Sequence, residues 1–478
     1  MLRFLKSLTR LKKYGKTVKY TSKHVPLRGK CIKHLVLLDM NPNNNSRICV
    51  IGAGPSGITA LKNLLQVGCK EVVCYEKNDQ VGGNWVFSTQ TGHSSVMSTT
   101  HIISSKSLSQ YLDYPMPDDY PAYPSHKQLL TYFQSYALHF GLMPYIRFNT
   151  NVQKAERTGQ GKWQLILDNG TVEIFDYLLV ANGHHWKPRM PKYEGQFAGK
   201  IIHSHDFKTN EPFRNERVLV IGGGNSACDC AVEASRVAEF VGISMRRGYY
   251  IVPKFMFGMP ADMVNIRFLF LPYFIRQFIG QLTYKLVVGD LRNYGLQRPK
   301  HRILEAHPTM NSELLYMLGH GKVHPRPDIK KFNGHTVHFT DGRTETYDTL
   351  VAATGYDIVF PFFDTSLIDF ENKQVPLYLR CFHPTFRNLF FVGLVQPQGC
   401  IWPLADAQSK LIANYIAGNY ALPIDIKKRI EADLSRIKRR YTQSHRHSVE
   451  VDYHEHINEL LAELPDNAPE WQTTAAMP

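Results

Sequence analysis

Two stretches of sequence decide the fold: ICVIGAGPSGITALKNLL (Ile48–Leu65) and RVLVIGGGNSACDCAVEASR (Arg217–Arg236). In each, an apolar strand pattern runs into a glycine-rich turn and then into a helical pattern. Glycines there allow the pyrophosphate of a dinucleotide to approach the backbone N–H groups at the positive end of the helix. A strand–helix corner without a ligand is the alternative interpretation, and the matched spacing of the two copies argues against it.

The first copy has the complete context of a dinucleotide-binding unit. We predict a strand at Arg47–Ile51, a helix after the turn, and a second strand at Glu71–Tyr75. The turn has the spacing G-x-G-x-x-G, with its glycines at Gly52, Gly54 and Gly57. This context is much more specific than a lone glycine motif.

The second copy repeats that layout. We predict a strand at Arg217–Ile221, a helix that extends to about Glu239, and a strand at Phe240–Met245. Ala227 stands where the first copy has its third glycine, and a residue this small still permits close packing of helix on strand. The glycines of this turn are Gly222 and Gly224.

The residue that follows the second strand differs between the copies. Glu76 and Arg246 each lie 24 residues after the first glycine of their turn. A carboxylate there accepts hydrogen bonds from the ribose hydroxyls and repels a 2′-phosphate, whereas an arginine attracts that phosphate. The first site therefore suits FAD or NAD and the second suits NADP, which predicts a permanently held flavin and an NADPH that reduces it.

A second repeated sequence pattern supports two related modules. The segments Phe175–Gly183 and Tyr347–Gly355 share the spacing Asp-x-Leu-x-x-Ala-x-Gly, and each follows a hairpin signal, at Asp168–Gly170 and Asp341–Gly342. We predict an α/β fold with two Rossmann-like dinucleotide-binding domains, the NADPH domain inserted into the FAD domain. The expected ranges are a basic, flexible extension (1–46), the FAD domain (47–213 and 331–460, the latter with C-terminal helices), the NADPH domain (214–330) and a flexible tail (461–478).

The basic charge of the chain is concentrated at its start. The net charge is +15, but Met1–Leu38 contain eleven Lys and Arg and no acidic residue, which leaves +4 for the other 440 residues. No general nucleic-acid surface is expected. The extension has an apolar helical face opposite its basic residues, so three interpretations stay open: membrane or partner contact, organelle targeting, or a disordered or mis-started segment.

Residues 264–288 form the most apolar stretch, but they contain Arg267, Arg276 and Lys285, so no transmembrane helix is predicted there. This stretch has four alternative interpretations: a buried helical pair, a lid over the cofactor crevice, the entrance to a substrate pocket, or a patch that contacts lipid.

Eight cysteines without a CxxC motif argue against a disulfide relay and favour free thiols in a reducing compartment. The clusters HRH (445–447) and HEH (454–456) have no cysteine partners, so no metal site is expected.

The segment FAGKIIHSHDF, with Phe197, Gly199, His203 and Phe207, matches the fingerprint F-x-G-x-x-x-H-x-x-x-(F/Y). By this segment and the two turns, the chain resembles the flavin-containing monooxygenases, class B flavoproteins, and in particular their bacterial members. The resemblance covers about 47–458 and includes EKNDQVGGNW (76–85), DYPMPDDYP (113–121) and VGLVQPQGCIWPLADAQ (392–408). Phe207 is followed by Lys208 and not by the Trp-Pro type ending of Baeyer–Villiger enzymes, which favours heteroatom oxygenation.

The resemblance implies an enzyme in which NADPH reduces FAD and O2 forms a C4a-hydroperoxyflavin that oxygenates a small soft nucleophile at nitrogen or sulfur, as in N,N-dimethylaniline monooxygenase activity. The flavin carries the chemistry, so no catalytic side chain is expected. The alternatives are a Baeyer–Villiger ketone monooxygenase, an NADPH oxidase that releases H2O2, and a non-catalytic NADPH/FAD redox-sensing module. A cytoplasmic protein is expected, with peripheral membrane contact through 1–38 or 264–288 and a homodimer as open alternatives.

The resemblance also assigns residues to the cofactors. His203 is expected to fix the domain angle or the nicotinamide, Trp85 has core packing as its alternative, and Arg247 has a solvated charge as its alternative. The FAD residues are Gly52, Gly54, Pro55, Ser56 and Gly57 at the pyrophosphate, Glu76 and Lys77 near the ribose, and Gly83, Asn84, Trp85, Ser104 and Gln396 near the flavin. The NADPH residues are Gly222, Gly224, Asn225, Ser226, Ala227 and Asp229, with Arg246 on the 2′-phosphate and Arg247 as a second clamp.

One departure from the family pattern affects the expected reaction centre. Many members have Asn-Ser-Ser-Lys beside the reactive edge of the flavin, where this chain has Ile103, Ser104, Ser105 and Lys106. Isoleucine donates no hydrogen bond through its side chain. Either Ser104 or His101 compensates, or the enzyme loses reducing equivalents as peroxide.

Overall fold

The computed structural model of the chain describes residues 45–89, 94–364, 367, 375–441 and 449–465. Most of the predicted N-terminal extension and of the predicted C-terminal tail lies outside these ranges. The described residues all lie in one compact unit.

The elements are numbered in chain order. The strands are β1 (Ile48–Ile51), β2 (Val72–Tyr75), β3 (Ile146–Arg147), β4 (Val152–Arg157), β5 (Trp163–Leu167), β6 (Val172–Phe175), β7 (Tyr177–Val180), β8 (Lys187–Pro188), β9 (Lys200–His203), β10 (Arg217–Ile221), β11 (Phe240–Ser244), β12 (Ile251–Val252), β13 (Phe255–Met256), β14 (Met259–Pro260), β15 (Thr309–Met310), β16 (His324–Arg326), β17 (Ile329–Asn333), β18 (Thr336–Phe339), β19 (Thr344–Thr346), β20 (Thr349–Ala352), β21 (Tyr356–Asp357), β22 (Leu389–Phe391), β23 (Gln396–Pro397) and β24 (Glu450–Val451). The helices are α1 (Pro55–Gln66), α2 (Lys106–Ser109), α3 (His126–His139), α4 (Asn225–Ala234), α5 (Ala261–Ile266), α6 (Tyr273–Val287), α7 (Leu314–Gly319), α8 (Ile401–Ile416), α9 (Ile426–Arg440) and α10 (Tyr453–Ala462).

The first copy of the motif lies in a five-stranded parallel sheet of order β22-β7-β1-β2-β3. All four residues of β1 are buried, as expected for a central strand covered on both faces. Helix α1 packs against α8 on one side of this sheet. The predicted strands are confirmed, each beginning one residue later than predicted, at Ile48 and Val72.

The second copy lies in another five-stranded parallel sheet, of order β16-β11-β10-β20-β9. Strand β10 has the predicted bounds, and β11 ends one residue early at Ser244. Helix α4 ends at Ala234 and not near Glu239. The chain turns earlier because the N–H of Glu239 must reach the carbonyl of Glu216 to start β11 in register with β10.

The strand order agrees with an inserted second domain, since the whole second sheet comes between β7 and β22 of the first. Its membership differs from the predicted range 214–330, because β9 and β20 also belong to it. Neighbours in a parallel sheet come from distant segments, so a linear division by motif position misses them. The cofactor assigned to each sheet stays a prediction.

The repeated sequence pattern of the two modules corresponds to a three-stranded antiparallel sheet that occurs in each of them. Strands β4-β5-β6 precede β7, and β17-β18-β19 precede β20. The predicted hairpins are confirmed: Gly170 (φ +81°) turns the chain between β5 and β6, and Gly342 (φ +89°) does so between β18 and β19.

Residues 248–310, called the insertion below, contain α5 and α6. The inner face of α6 is buried, with Tyr284 against Tyr250 at 5.0 Å between ring centroids and the Gln277 amide donating to the Ile303 carbonyl at 3.1 Å. Its outer face is exposed, so a fully buried helical pair is wrong. Among the described residues, no helix combines the length and the apolar character that crossing a bilayer requires.

Candidate cofactor sites

The first glycine turn leaves no space for side chains at Gly52 and Gly57. Gly52 has φ +99°, and a Cβ there would lie 2.8 Å from the Ala181 carbonyl oxygen. A Cβ on Gly57 would lie 1.7 Å from the Gly52 oxygen. Helix α1 begins at Pro55, which has no N–H, and the Gly57 N–H donates to the Gly54 carbonyl at 2.9 Å. The Ser56 N–H is the group of this first turn that is available to an anion. This cradle fits a pyrophosphate.

The turn Gly83–Trp85 lies directly against the first glycine turn. A Cβ on Gly83 would be 2.9 Å from the Cα of Gly54. The Asn84 side-chain oxygen accepts hydrogen bonds from the Ser95 N–H and hydroxyl, both at 2.8 Å. The structure therefore brings these predicted flavin residues to the first turn.

Glu76 ties the end of β2 to the same turn. Its side chain is 4% exposed, and its two oxygens accept hydrogen bonds from the Ala53 N–H at 2.7 Å and the Asn78 N–H at 2.9 Å. Burial raises the pKa of the carboxyl, while these backbone bonds oppose the rise. Each oxygen retains a lone pair with which to accept from a ribose hydroxyl.

Lys77 and Trp186 form a contact that the sequence did not reveal. The Lys77 Nζ lies 3.5 Å from the centroid of the Trp186 ring. Burial lowers the pKa of Lys77. Trp186 belongs to the connection after β7, so only the parallel pairing of β7 with β1 brings it near the end of β2.

Trp85 makes the contacts of a packing residue. Its ring meets that of Trp402 edge to face at 5.5 Å, and Trp402 in turn meets Phe133 at 4.8 Å. The alternative of core packing is thus compatible with the geometry. Gln396 is half-buried in β23, and its N–H donates to the Val449 carbonyl at 2.7 Å.

The segment from His101 to Lys106 leads into α2. The buried Ser104 hydroxyl lies 2.9 Å from that of Ser109, and Ile103 is half-buried. His101 is exposed, with its Nδ1 2.9 Å from the Thr99 carbonyl. Of the two proposed substitutes for the missing asparagine, Ser104 is buried and already paired.

The second glycine turn is built like the first. Gly222 has φ +137°, and a Cβ there would lie 2.4 Å from the Ala353 oxygen. Helix α4 begins at Asn225, with the exposed Ser226 next, and Ala227 is fully buried against the core. A side chain on Gly223 would meet the Tyr249 ring at 2.2 Å, so that ring lies across the turn.

Three hydrogen bonds from β15 and from Asn311, the residue after it, hold the second turn and the first residues of α4. The Thr309 hydroxyl donates to the Gly223 carbonyl at 2.9 Å, and the Met310 N–H donates to the Asn225 side-chain oxygen at 2.7 Å. The Asn311 amide donates to the Asp229 carboxylate at 2.7 Å. Burial raises the pKa of Asp229 to about 6. Sequence reasoning missed β15, because no local motif marks a segment some 85 residues downstream.

The two arginines after β11 differ. Arg246 is exposed and free to reach a ligand at the strand end, whereas Arg247 is half-buried with its guanidinium 5.3 Å from the Tyr249 ring centroid. A purely solvated charge is therefore wrong for Arg247. Among the described residues, no group of three or more His, Cys, Asp or Glu side chains is arranged to hold a metal ion.

His203 joins the two connections between the modules. Its Nδ1 accepts from the His205 N–H at 3.1 Å, so its Nε2 carries the proton and donates to the Gly355 carbonyl at 3.1 Å. Burial lowers the pKa of His203 to about 4. Beside it, β8 and β21 pair as an antiparallel ribbon. With both ring nitrogens engaged, His203 is suited to holding the module junction.

Comparison with known proteins identifies the family. The family model described as FMO-like, flavin-binding monooxygenase-like, matches residues 45–471. The chain is 34% identical to human flavin-containing monooxygenase 5 over 441 residues, which cover 87% of this chain and 82% of that enzyme.

Solved structures share the fold. S-allyl-L-cysteine S-oxygenase from Allium sativum has a TM-score of 0.66 at 22% identity, covering 88% of each chain. An NADP+-bound mutant of cyclohexanone monooxygenase from Rhodococcus sp. Phi1 has a TM-score of 0.68 at 18% identity, covering 87% of this chain and 97% of that one. On the family match, the chain belongs to the flavin-binding monooxygenase-like family, whose members are oxidoreductases that use FAD, NADPH and O2.

Proposed function

We propose that this protein transfers one oxygen atom of O2 to the nitrogen or sulfur of a small soft nucleophile, with NADPH as the reductant. The observation that carries the proposal is the pair of glycine cradles, one followed by Glu76 and the other by Arg246. One cradle suits an unphosphorylated ribose and the other a 2′-phosphate. When bound, FAD reduced by NADPH supplies activated oxygen.

In this proposal, the chain's own residues bind, orient and exclude water. The first turn and Glu76 hold the FAD pyrophosphate and ribose. The second turn and the start of α4, with Asn225 held by Met310 and Asp229 by Asn311, hold NADPH, and Arg246 binds its 2′-phosphate. His203 stays neutral and holds the junction between the two modules, which fixes the position of NADPH relative to FAD.

The substrate class separates this proposal from its alternatives. Heteroatom oxygenation is supported by the relatives' family and by Lys208, which stands where Baeyer–Villiger enzymes have a Trp-Pro type ending and whose Nζ donates to the Ser94 carbonyl. Ile103 keeps an oxidase that releases H2O2 as the second candidate, because its side chain offers no hydrogen bond beside the expected flavin edge.

The test is a product balance per NADPH consumed. Purified protein with bound FAD is given NADPH and either a tertiary amine, a thioether or a ketone, and N-oxide, S-oxide, ester and H2O2 are measured. N-oxide or S-oxide close to one per NADPH supports the proposal. Ester formation assigns a Baeyer–Villiger enzyme, peroxide alone assigns an oxidase, and cofactor binding without flavin reduction assigns a sensing module.

We further propose that the outer face of α6 contacts an anionic lipid surface of a cytoplasmic membrane. Phe274, Phe278, Leu282 and Leu286 recur every four residues on this face, and Phe278 is 70% exposed. The exposed Lys285 lies in the same helix, and the exposed Arg267 lies before it in the chain. Apolar side chains beside cations favour an anionic interface. The other candidate for this contact, 1–38, lies outside the described residues.

Vesicle sedimentation separates a lipid surface from a second copy of the chain. Phe274→Ser with Phe278→Ser should reduce binding of the full chain to phosphatidylserine vesicles, whereas Leu138→Ser, at an exposed position of α3, should not. Unchanged vesicle binding would remove the proposal. A dimer in light scattering that the double variant abolishes would assign the face to a homodimer instead.

A further inference from the structure

The insertion of the second module is hydrogen-bonded to the residue that precedes α2 through one carboxylate, that of Asp262. The Asp262 Oδ2 accepts a hydrogen bond from the Ser105 N–H at 2.6 Å. Its Oδ1 accepts from the Met263 N–H at 2.8 Å, within α5. Asp262 thus joins the first turn of α5 to the residue that precedes α2.

The Ser105 main chain depends on this bond. Ser105 is 1% exposed, and its own hydroxyl has no hydrogen-bond partner among the described residues. A buried N–H without an acceptor is costly, so Asp262 is the group that makes this backbone conformation favourable.

Ser105 is connected to the first glycine turn by buried contacts. Its neighbour Ser104 pairs with Ser109, and the Tyr111 hydroxyl donates to the Pro55 carbonyl at 2.8 Å. Pro55 is the first residue of α1, immediately after Gly54 of the turn. These contacts connect Ser105, through α2 and Tyr111, with the start of α1 at the predicted FAD site.

The same insertion also holds the second turn. A second tie runs from the Tyr123 hydroxyl to the Lys254 carbonyl, beside β13. Residues of β12, which precedes Lys254, pair with β15, and β15 contacts Gly223 and Asn225. The insertion is thus in contact with the surroundings of both turns at once.

We propose that Asp262 is a positioning residue that sets the Ile103–Ser105 backbone according to the placement of the insertion over the second turn. The consequence rests on the proposed function: with this backbone in place, oxygen reduced at the expense of NADPH goes to substrate, and without it more is released as H2O2. The NADPH and FAD sites themselves do not require Asp262.

Two variants remove the bond from opposite sides. Asp262→Ala removes the acceptor. Ser105→Pro removes the donor, and the φ of −67° at Ser105 is the angle that proline adopts. Asp262→Asn keeps an acceptor oxygen and serves as the conservative rescue. Asp290→Ala is the matched control, because it removes another carboxylate of the insertion, one that pairs with Arg292 and Arg298.

The first readout is amide hydrogen exchange of the peptide that contains 103–106, measured with and without cofactors. Asp262→Ala should speed exchange at least tenfold, with Asp262→Asn and Asp290→Ala within about twofold of wild type. The second readout is peroxide per NADPH, which should rise several-fold in Asp262→Ala and Ser105→Pro while FAD content and the NADPH KM stay within twofold.

Unchanged exchange in Asp262→Ala, or equal peroxide release by the Ala and Asn variants, would overturn the inference. If Asp262→Ala does not fold, Ser105→Pro against Asp262→Asn carries the peroxide comparison, because proline has no amide hydrogen to exchange. A wild-type protein that yields neither oxygenated product nor peroxide would refute the proposed function only, because the exchange arm reports on the positioning of Ser105 without any turnover.

Discussion

Gly57→Ala tests whether the first turn is an FAD cradle. The added Cβ would lie 1.7 Å from the Gly52 carbonyl oxygen, whereas ordinary contact begins at 3.4 Å. Helix α1 would have to move away from the turn by about 1.7 Å, the difference between these two distances. Neither partner can yield cheaply, because the obstacle is backbone and α1 is buried against α8.

The expected cost follows from that displacement. Overpacking of a well-packed region costs about 1–3 kcal/mol and occasionally more. The same movement takes the Ser56 N–H of α1 away from the predicted pyrophosphate position, so we expect the upper end of that range to appear in FAD affinity. About 3 kcal/mol corresponds to a rise of roughly 100-fold in the FAD Kd.

The assay is the ratio of flavin to protein after gel filtration, followed by fluorescence titration of the apoprotein with FAD. Ala227→Gly, at the equivalent position of the second turn, is the matched control: it removes a buried methyl group but should leave the FAD Kd unchanged. A Gly57→Ala protein that elutes yellow, with the wild-type Kd, would show that the FAD cradle has been misplaced.

Three other predictions concern the second turn and the module junction. Arg246→Ala should raise the NADPH KM at least tenfold and the NADH KM little, and equal effects would refute the 2′-phosphate assignment. Thr309→Val should raise the NADPH KM several-fold with unchanged FAD content, since it removes the bond to the Gly223 carbonyl; a wild-type KM would contradict that role. Because the pKa of His203 falls from 6.5 to about 4 on folding, the unfolded state binds more protons between these values. The contribution of His203 to stability is therefore complete above pH 6.5 and lost as the pH falls toward 4, so urea midpoints of wild type should drop in this window more than those of His203→Gln.

The features of the site that the sequence predicts are those formed by residues close together in the chain. Both glycine turns, the strand before each and the acidic or basic residue after the next strand were found, because one short stretch contains the whole strand–turn–helix unit. The hairpins at Gly170 and Gly342 are predictable for the same reason, since a signal of two or three residues specifies a turn by its backbone angles alone. The end of α4 was missed, because register with β10 and not local helix propensity sets it.

The sequence by itself determined the two strand–turn–helix units, the acidic Glu76 and basic Arg246 that follow them, and the family to which the chain belongs. Only the tertiary structure decided which distant segments complete them: β9 and β20 join the second sheet, β15 is hydrogen-bonded to the second turn, and the Lys77 ammonium contacts the Trp186 ring. It also decided that Asp262 meets Ser105 and that α6 leaves an apolar face exposed. The physical reason is that turn and strand preferences act over a few residues, whereas these contacts join segments some 80 to 160 residues apart and exist only once parallel strands from separate parts of the chain have paired.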